Sequence, residues 1–320
     1  MTRAASSLLF AFLCLCPAAV SALDRDEAAL TGALELYEDG KYDAAARAFE
    51  ALIQSRPSTE VNRAAYFYMG RAQEQLSRPD KAIGTYQVGA QLYPRDLPLA
   101  IALGTLYLKS DLFKDAEGHF IRSVNIDKDS VDAHEGLAET YERLGHLEWA
   151  EREYEEAIRL SEIPEWSLLL KLARCLYAQR KFSDAEAAAA RSLASGGADP
   201  EVWRLTARIR YERGRREEAI GDLDAALALA PRRSDIALEK ALWLLSSGKA
   251  EQSLSDAEGI LAVEPENTLA HFTAGLALNA QGRRAEAAVH FRTAAGHELT
   301  APFIAAVSAK ILARNAAAPR

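Results

Sequence analysis

Few side chains in this 320-residue sequence could do chemistry, and each falls short of a working set. His134 opens the run HEGLA and begins like a helical two-histidine zinc motif, but Ala138 stands where the second imidazole belongs. Asp127, Asp129 and Asp132 start like a calcium loop; Val131 interrupts them, and the glycine that makes the sharp turn is missing. Their structural reading is a connector whose acids favour the N-terminus of the next helix. Cys175, inside KLARCLYAQ, is a nucleophile by type and a small apolar helix residue by setting. The nearest approach to converging acid and base groups is Glu135, Glu139 and Arg174. There is no glycine-rich phosphate loop, no Gly-x-Ser-x-Gly elbow, and no pair of Cys or His at metal-ligand spacing. The expectation is a protein that is not an enzyme and uses no metal or cofactor.

Composition narrows the partners. Hydrophobic residues make up 49% of the chain and charged ones 26%, which suits a folded protein. Lys and Arg number 38 against 46 Asp and Glu, so no broad basic surface exists for phosphate contacts, and nucleic acid is not expected as a partner. Only 18 Gly and 11 Pro, with alanine throughout, lean the reading toward helix.

Residues 1–22 are built differently from the rest. Arg3 precedes an apolar stretch from Leu8 to Cys16, then Pro17, then small residues at Val20, Ser21 and Ala22. That order reads as a secretory signal peptide cleaved after Ala22. The apolar stretch is short for a bilayer span, so a retained anchor is the lesser reading. Leu13 and Leu15 precede Cys14 and Cys16 where a lipid-acceptor cysteine needs a small residue, which disfavours a lipid anchor. Cys175 then remains alone and cannot form an internal disulfide. The expected location is outside the cytoplasm: the periplasm if the source is bacterial, otherwise secreted or in the endoplasmic reticulum lumen.

The elements that must position these side chains repeat. LYEDGKYDAAARAFEALIQSRP, residues 36–57, spaces Gly40, Tyr42, Ala45, Phe49 and Pro57 at offsets that recur along the chain. Units fall near 26–59, 63–96, 97–130, 131–164, 166–199, 200–233, 234–267 and 268–299. Position 20 of each is alanine except Ser253; position 8 is always Ala or Gly; position 24 is Phe49, Tyr86, Phe120, Tyr154, Ala189, Leu223, Ala257 and Phe291. Gly40, Gly145, Gly214, Gly248 and Gly282 share position 15, where a left-handed residue ends a first helix, and Pro57, Pro94, Pro231 and Pro265 share position 32 and stop a second. Departures are local: Pro79 at position 17, a long ending SGGADP in unit five, and an excess around STEVN that reads as a longer connector.

This pattern resembles the tetratricopeptide repeat, a helix-turn-helix unit of 34 residues, over roughly residues 26–299. Small residues at positions 8 and 20 let the two helices approach, and the larger residue at position 24 fills the space beside them. The resemblance implies an all-α, right-handed superhelical solenoid of about eight units. The expected division is residues 23–299 for the array, 300–314 for a capping helix beginning with Thr300 as N-cap and Pro302 in the first turn, and 315–320 for a frayed tail.

The resemblance further implies that positions 2, 5, 9 and 12 of each first helix face a concave groove for a peptide, tail or partner helix. Those positions hold Leu30, Leu34, Tyr37, Phe67, Ile101 and Leu108 in units one to three, and Asp132, Glu135, Glu139 and Glu142 in unit four. Units five and six supply Arg174, Tyr177, Arg204, Arg208 and Tyr211; units seven and eight return to Leu238, Leu242, Leu245, Leu269, Phe272 and Leu276. Glu139, Arg174 and Arg208 share position 9, so either mutual ion pairing or a partner is open for them. The family's chaperone-type carboxylate clamp uses paired Asn and Lys; Leu34 and Arg71 occupy position 9 here, so that activity is not expected. The expected function is an exported protein-binding adaptor for an envelope or secretory-pathway partner, the alternative being a self-assembling structural element and so a homo-oligomer.

Overall fold

The computed structural model describes residues 17–55, 59–296 and 301–317. Among them the chain is all α-helical, with 17 helices and no strand. It divides into two compact units at Ser161 and Glu162. In the first unit lie α1 (Pro17–Glu38), α2 (Tyr42–Gln54), α3 (Thr59–Gln75), α4 (Pro79–Leu92), α5 (Leu97–Lys109), α6 (Phe113–Ile126), α7 (Val131–Leu144) and α8 (Leu147–Leu160). In the second lie α9 (Trp166–Ala178), α10 (Phe182–Ala194), α11 (Pro200–Glu212), α12 (Arg216–Leu229), α13 (Ser234–Ser246), α14 (Ala250–Val263), α15 (Thr268–Ala280), α16 (Arg284–Gly296) and α17 (Pro302–Ala317).

Each odd helix turns back into the even helix that follows through one recurring device. Gly40, Gly145, Gly214, Gly248 and Gly282 have φ between 73° and 81°, the left-handed conformation that costs glycine nothing. The remaining units place Ser77, Asp111 and Arg180 at the same position with φ of 55°, 59° and 60°, where an L side chain is strained. Behind every one of these residues the next N–H reaches back to a carbonyl five residues earlier, as Lys41 does to Leu36 at 2.9 Å and Arg78 to Gln73 at 2.9 Å. These bonds satisfy the orphan carbonyls of the first helix and fix the reversal.

Packing inside each helix pair follows from side-chain size. The position-20 residues from Ala45 to Ala287, Ser253 included, are fully buried, and so are Phe49, Tyr86, Tyr154, Leu223 and Phe291 at position 24. Where the buried residue is tyrosine, its hydroxyl needs an acceptor, and the first helix of the same pair supplies a glutamate. Tyr86 donates to Glu74 at 2.7 Å and Tyr154 to Glu142 at 2.9 Å. Glu142, a groove residue on the stripe reading, is thus a partner of its own core tyrosine.

Two features depart from the simple repeat. α3 begins at Thr59, so most of the expected connector around STEVN is an extra first turn of helix. Burial of Val61 against the Phe49 cluster and a 2.8 Å bond from Asn62 to the Tyr93 hydroxyl hold that turn. At the far end α17 packs on α15 and α16, with Ala305 and Ser308 buried and Ile311 and Leu312 against the Phe291 cluster. α1 runs unbroken through Ala22, the expected cleavage point; residues 1–16, Pro57 and Thr300 lie outside the described residues.

Candidate functional site

In the second unit the first-helix face of α11 and α13 carries an arginine–carboxylate array. Arg208 grips Glu239 with two parallel bonds, Nε to Oε1 at 2.6 Å and Nη2 to Oε2 at 2.9 Å. Arg204 donates from Nε to the same carboxylate at 2.7 Å and from Nη1 to Asp235 at 2.7 Å. Arg233 joins Asp235 at 2.7 Å to Glu201 at 2.6 Å, so three guanidinium groups meet three carboxylates and the array is self-neutral. Arg233 first, and Arg204 after it, holds the Asp235 carboxyl well below the usual range, and the bond to Glu239 raises the Arg208 guanidinium above its own. The Arg204 and Glu239 side chains are only 17% and 15% exposed, whereas Arg208 is 41% exposed. Arg204 therefore works as internal support, and Arg208 presents an edge to solvent.

Aromatic rings flank the array. Tyr211 stacks on Trp243 with centroids 4.3 Å apart and planes 18° from parallel, and its hydroxyl lies 3.2 Å from Ser246 Oγ. The Arg216 guanidinium lies 5.7 Å from the other ring of the pair, that of Tyr211. Tyr177 on α9 meets Phe182 at 5.7 Å. Burial, then Glu212, pushes its phenol up, with Arg208 opposing, which sets it in the same field of charges. Arg174 on α9 is exposed.

The first unit treats its stripe residues differently. Leu30, Leu34 and Tyr37 are half-buried against the cluster around Phe49, and Tyr37 meets Tyr42 at 5.4 Å and Tyr68 at 5.8 Å edge-on. Phe67 and Ile101 pack on the cluster of Tyr86 and Phe120, and Leu108 is buried in it. The Arg71 guanidinium lies 6.0 Å from the Phe67 ring. Much of this apolar stripe is flank of the core rather than open surface. Glu135 and Glu139 are half-buried on α7. In the second unit Leu238 is buried, and Leu245, Leu269, Phe272 and Leu276 pack against the neighbouring clusters.

The stripe positions do not include Glu239 or Trp243, which stand at positions 6 and 10 of unit seven. Their one available signal is spacing: they lie four residues apart on the mostly apolar helix SDIALEKALWLLS, so they share a face.

Elsewhere the chemical candidates have structural places. His134 is buried between Glu153 at 2.6 Å and the Lys128 carbonyl at 3.0 Å. Asp127 accepts from the Asp129 N–H at 3.0 Å in a turn. Cys175 is fully buried, with the Gln179 amide 3.6 Å from its sulfur. Among the described residues no group of three or more His, Cys, Asp or Glu could hold a metal ion, and no helix is long and apolar enough to cross a membrane.

Helix pairs repeated through one turn geometry, with an ordered polar and aromatic face, define an all-helical repeat scaffold of the kind used in protein–protein interaction. A family model for the tetratricopeptide repeat matches residues 30–96, 170–234 and 238–299, more than half of the chain, and the chain belongs to that family. No curated protein matches the sequence. Among solved structures, the C-terminal part of a tetratricopeptide-repeat protein from Cytophaga hutchinsonii is similar at a TM-score of 0.61 and 16% identity, covering 76% of this chain and 98% of that one. A tetratricopeptide-repeat protein from Parabacteroides merdae reaches 0.58 at 13% identity, covering 79% and 98%. PilF of Pseudomonas aeruginosa reaches 0.55 at 15% identity, covering 65% and 93%. These likenesses show a shared fold.

Proposed function

We propose that this chain is an exported adaptor that holds an extended segment or helix of an envelope or secretory-pathway protein against its first-helix face. Residues 1–22 would direct export and be removed after Ala22. The observation that carries the reading is the Tyr211–Trp243 stack set beside the bidentate Arg208–Glu239 pair. Tyr, Trp and Arg are the residue types that dominate binding hot spots, and here their rotamers are fixed by one another in the absence of a partner. Little side-chain entropy is then left to lose on docking, which favours recognition over chemistry at this face. Arg208 can also offer its exposed edge to an incoming carboxylate or carbonyl without breaking its hold on Glu239.

The test is capture from an envelope extract by residues 23–320, beside the double variant Arg208→Ala, Tyr211→Ala. Both are first checked for helicity and mass by circular dichroism and light scattering. A protein retained by the wild type is then made on its own and titrated against both chains. Binding at least tenfold weaker to the variant supports the reading. Equal affinity removes this face from it, and a partner-free mass that grows with concentration favours self-assembly instead.

A further inference from the structure

The second unit contains a pair of imidazoles that the adaptor reading does not use. His271 on α15 and His290 on α16 face each other through their Nδ1 atoms at 3.0 Å. His134 and Glu153 occupy the same two repeat positions in unit four, and there Nδ1 meets a carboxylate at 2.6 Å while Nε2 lies 3.0 Å from the Lys128 carbonyl. In unit eight the carbonyl anchor is kept, with His271 Nε2 2.8 Å from the Pro265 oxygen. Only the facing group changes, from a carboxylate to a second imidazole.

The carbonyl oxygen of Pro265 can only accept, so His271 Nε2 carries a hydrogen and Nδ1 of the neutral ring is a lone pair aimed at His290. An imidazole oriented by an N–H bond to a backbone carbonyl is the usual outer support of a metal-bound histidine. In the metal-free pair the proton between the rings sits on His290 Nδ1; moved to Nε2, the other tautomer of the neutral ring, it frees a second lone pair toward the same point. We propose that His271 and His290 are the two protein ligands of a divalent transition-metal site, with copper(II) the best-suited ion and water filling the other positions.

The spacing suits a shared ion. With metal–nitrogen bonds of ~2.05 Å, adjacent corners of a square lie ~2.9 Å apart and those of a tetrahedron ~3.3 Å apart. The 3.0 Å separation lies between the two, so one ion can bridge the rings with little movement, and copper(II) heads the affinity order for nitrogen donors. Glu258 and Glu286 lie near His290 and add negative charge that favours a cation. Both rings are half-exposed, so an ion can reach them. Among the described residues no third side chain completes the set, which leaves coordination positions open to water.

Copper(II) titrated into the full chain against excess glycine, followed by electron paramagnetic resonance, tests the site. The expected result is one bound equivalent with nitrogen hyperfine structure from two imidazoles, and nickel(II) binding more weakly. His290→Glu rebuilds the pair that unit four already holds, so the fold should persist while copper binds at least tenfold more weakly; His134→Gln should leave binding unchanged. If His290→Glu alters the copper-free melting curve, His271→Gln decides in its place, since its amide can still donate to the Pro265 carbonyl. Copper bound alike by wild type and variant, or no equivalent retained against glycine, overturns the proposal and leaves the two rings merely sharing a proton.

Discussion

Gly70 lies under the Tyr86 ring so closely that a methyl group on its Cα would sit 2.3 Å from Cε1. The two residues occupy positions 8 and 24 of one unit, so the missing side chain on α3 is what admits the aromatic side chain on α4. Gly70→Ala is expected to destabilise the protein by ~1–3 kcal/mol, the usual cost of overpacking a filled core. Gly104→Ala should cost less, because its nearest Phe120 atom is 3.1 Å away. Urea unfolding of both, and of Gly70→Ala combined with Tyr86→Leu, measures the coupling; purely additive effects would show that the contact is not the cause.

Ser77 carries the strain of a left-handed residue without the freedom of glycine. Ser77→Gly should therefore stabilise the chain by about 1 kcal/mol. Asp111→Gly should gain less, since Asp111 also holds Arg143 at 2.5 Å, and Arg180→Gly gives up the Arg180 contact with the Phe182 ring at 5.4 Å. Thermal melts of the three variants rank them, and a loss on Ser77→Gly would contradict the strain argument.

The buried tyrosines depend on their glutamates. Tyr154→Phe removes the donor to Glu142 and should cost about 1 kcal/mol, with helicity unchanged. The reciprocal change, Glu142→Leu, removes the acceptor of that bond and should destabilise in the same direction. Denaturant midpoints measure both variants, and no loss on Tyr154→Phe would show that the hydroxyl bond to Glu142 adds nothing to stability.

Acid should weaken the first unit through His119. Its ring stacks on Tyr107 at 5.4 Å, and burial, then Arg122, lowers its pKa, with Asp115 opposing. A base whose folded pKa lies below its unfolded value binds more protons when unfolded, so stability is present above the usual histidine range of about 6.5 and falls as pH drops through it toward the folded pKa. His119→Gln should flatten that slope in melts recorded from neutral to mildly acid pH. An unchanged slope would assign the acid sensitivity to other groups.

How much of this is legible in the sequence depends on whether the determinant is local. Position 15 is local: a backbone reversal at a fixed offset, marked by Gly40 and its equivalents, also locates Ser77, Asp111 and Arg180 once the period is known. The extra turn of α3 is not legible in that way, because Ser58, Thr59 and Glu60 read as a connector and only the burial of Val61 in another helix pair's cluster decides otherwise. The site divides likewise. The stripe rule finds Arg204 and Arg208 but not the carboxylate they share, because which residue of α13 faces α11 is set by packing between units of the repeat. It also assigns Glu142 to a groove when the Tyr154 hydroxyl has claimed it.

Cys175 has one further consequence. It is wholly enclosed in α9, and in the chain from residue 23 onward it is the sole thiol. A thiol reagent can reach it only when that helix parts from its neighbours, so the rate of labelling in the native protein reports how readily α9 opens. The scaffold thus carries a built-in clock for its own breathing, and a partner that clamps the α9 face would be seen to slow it without any label being added elsewhere.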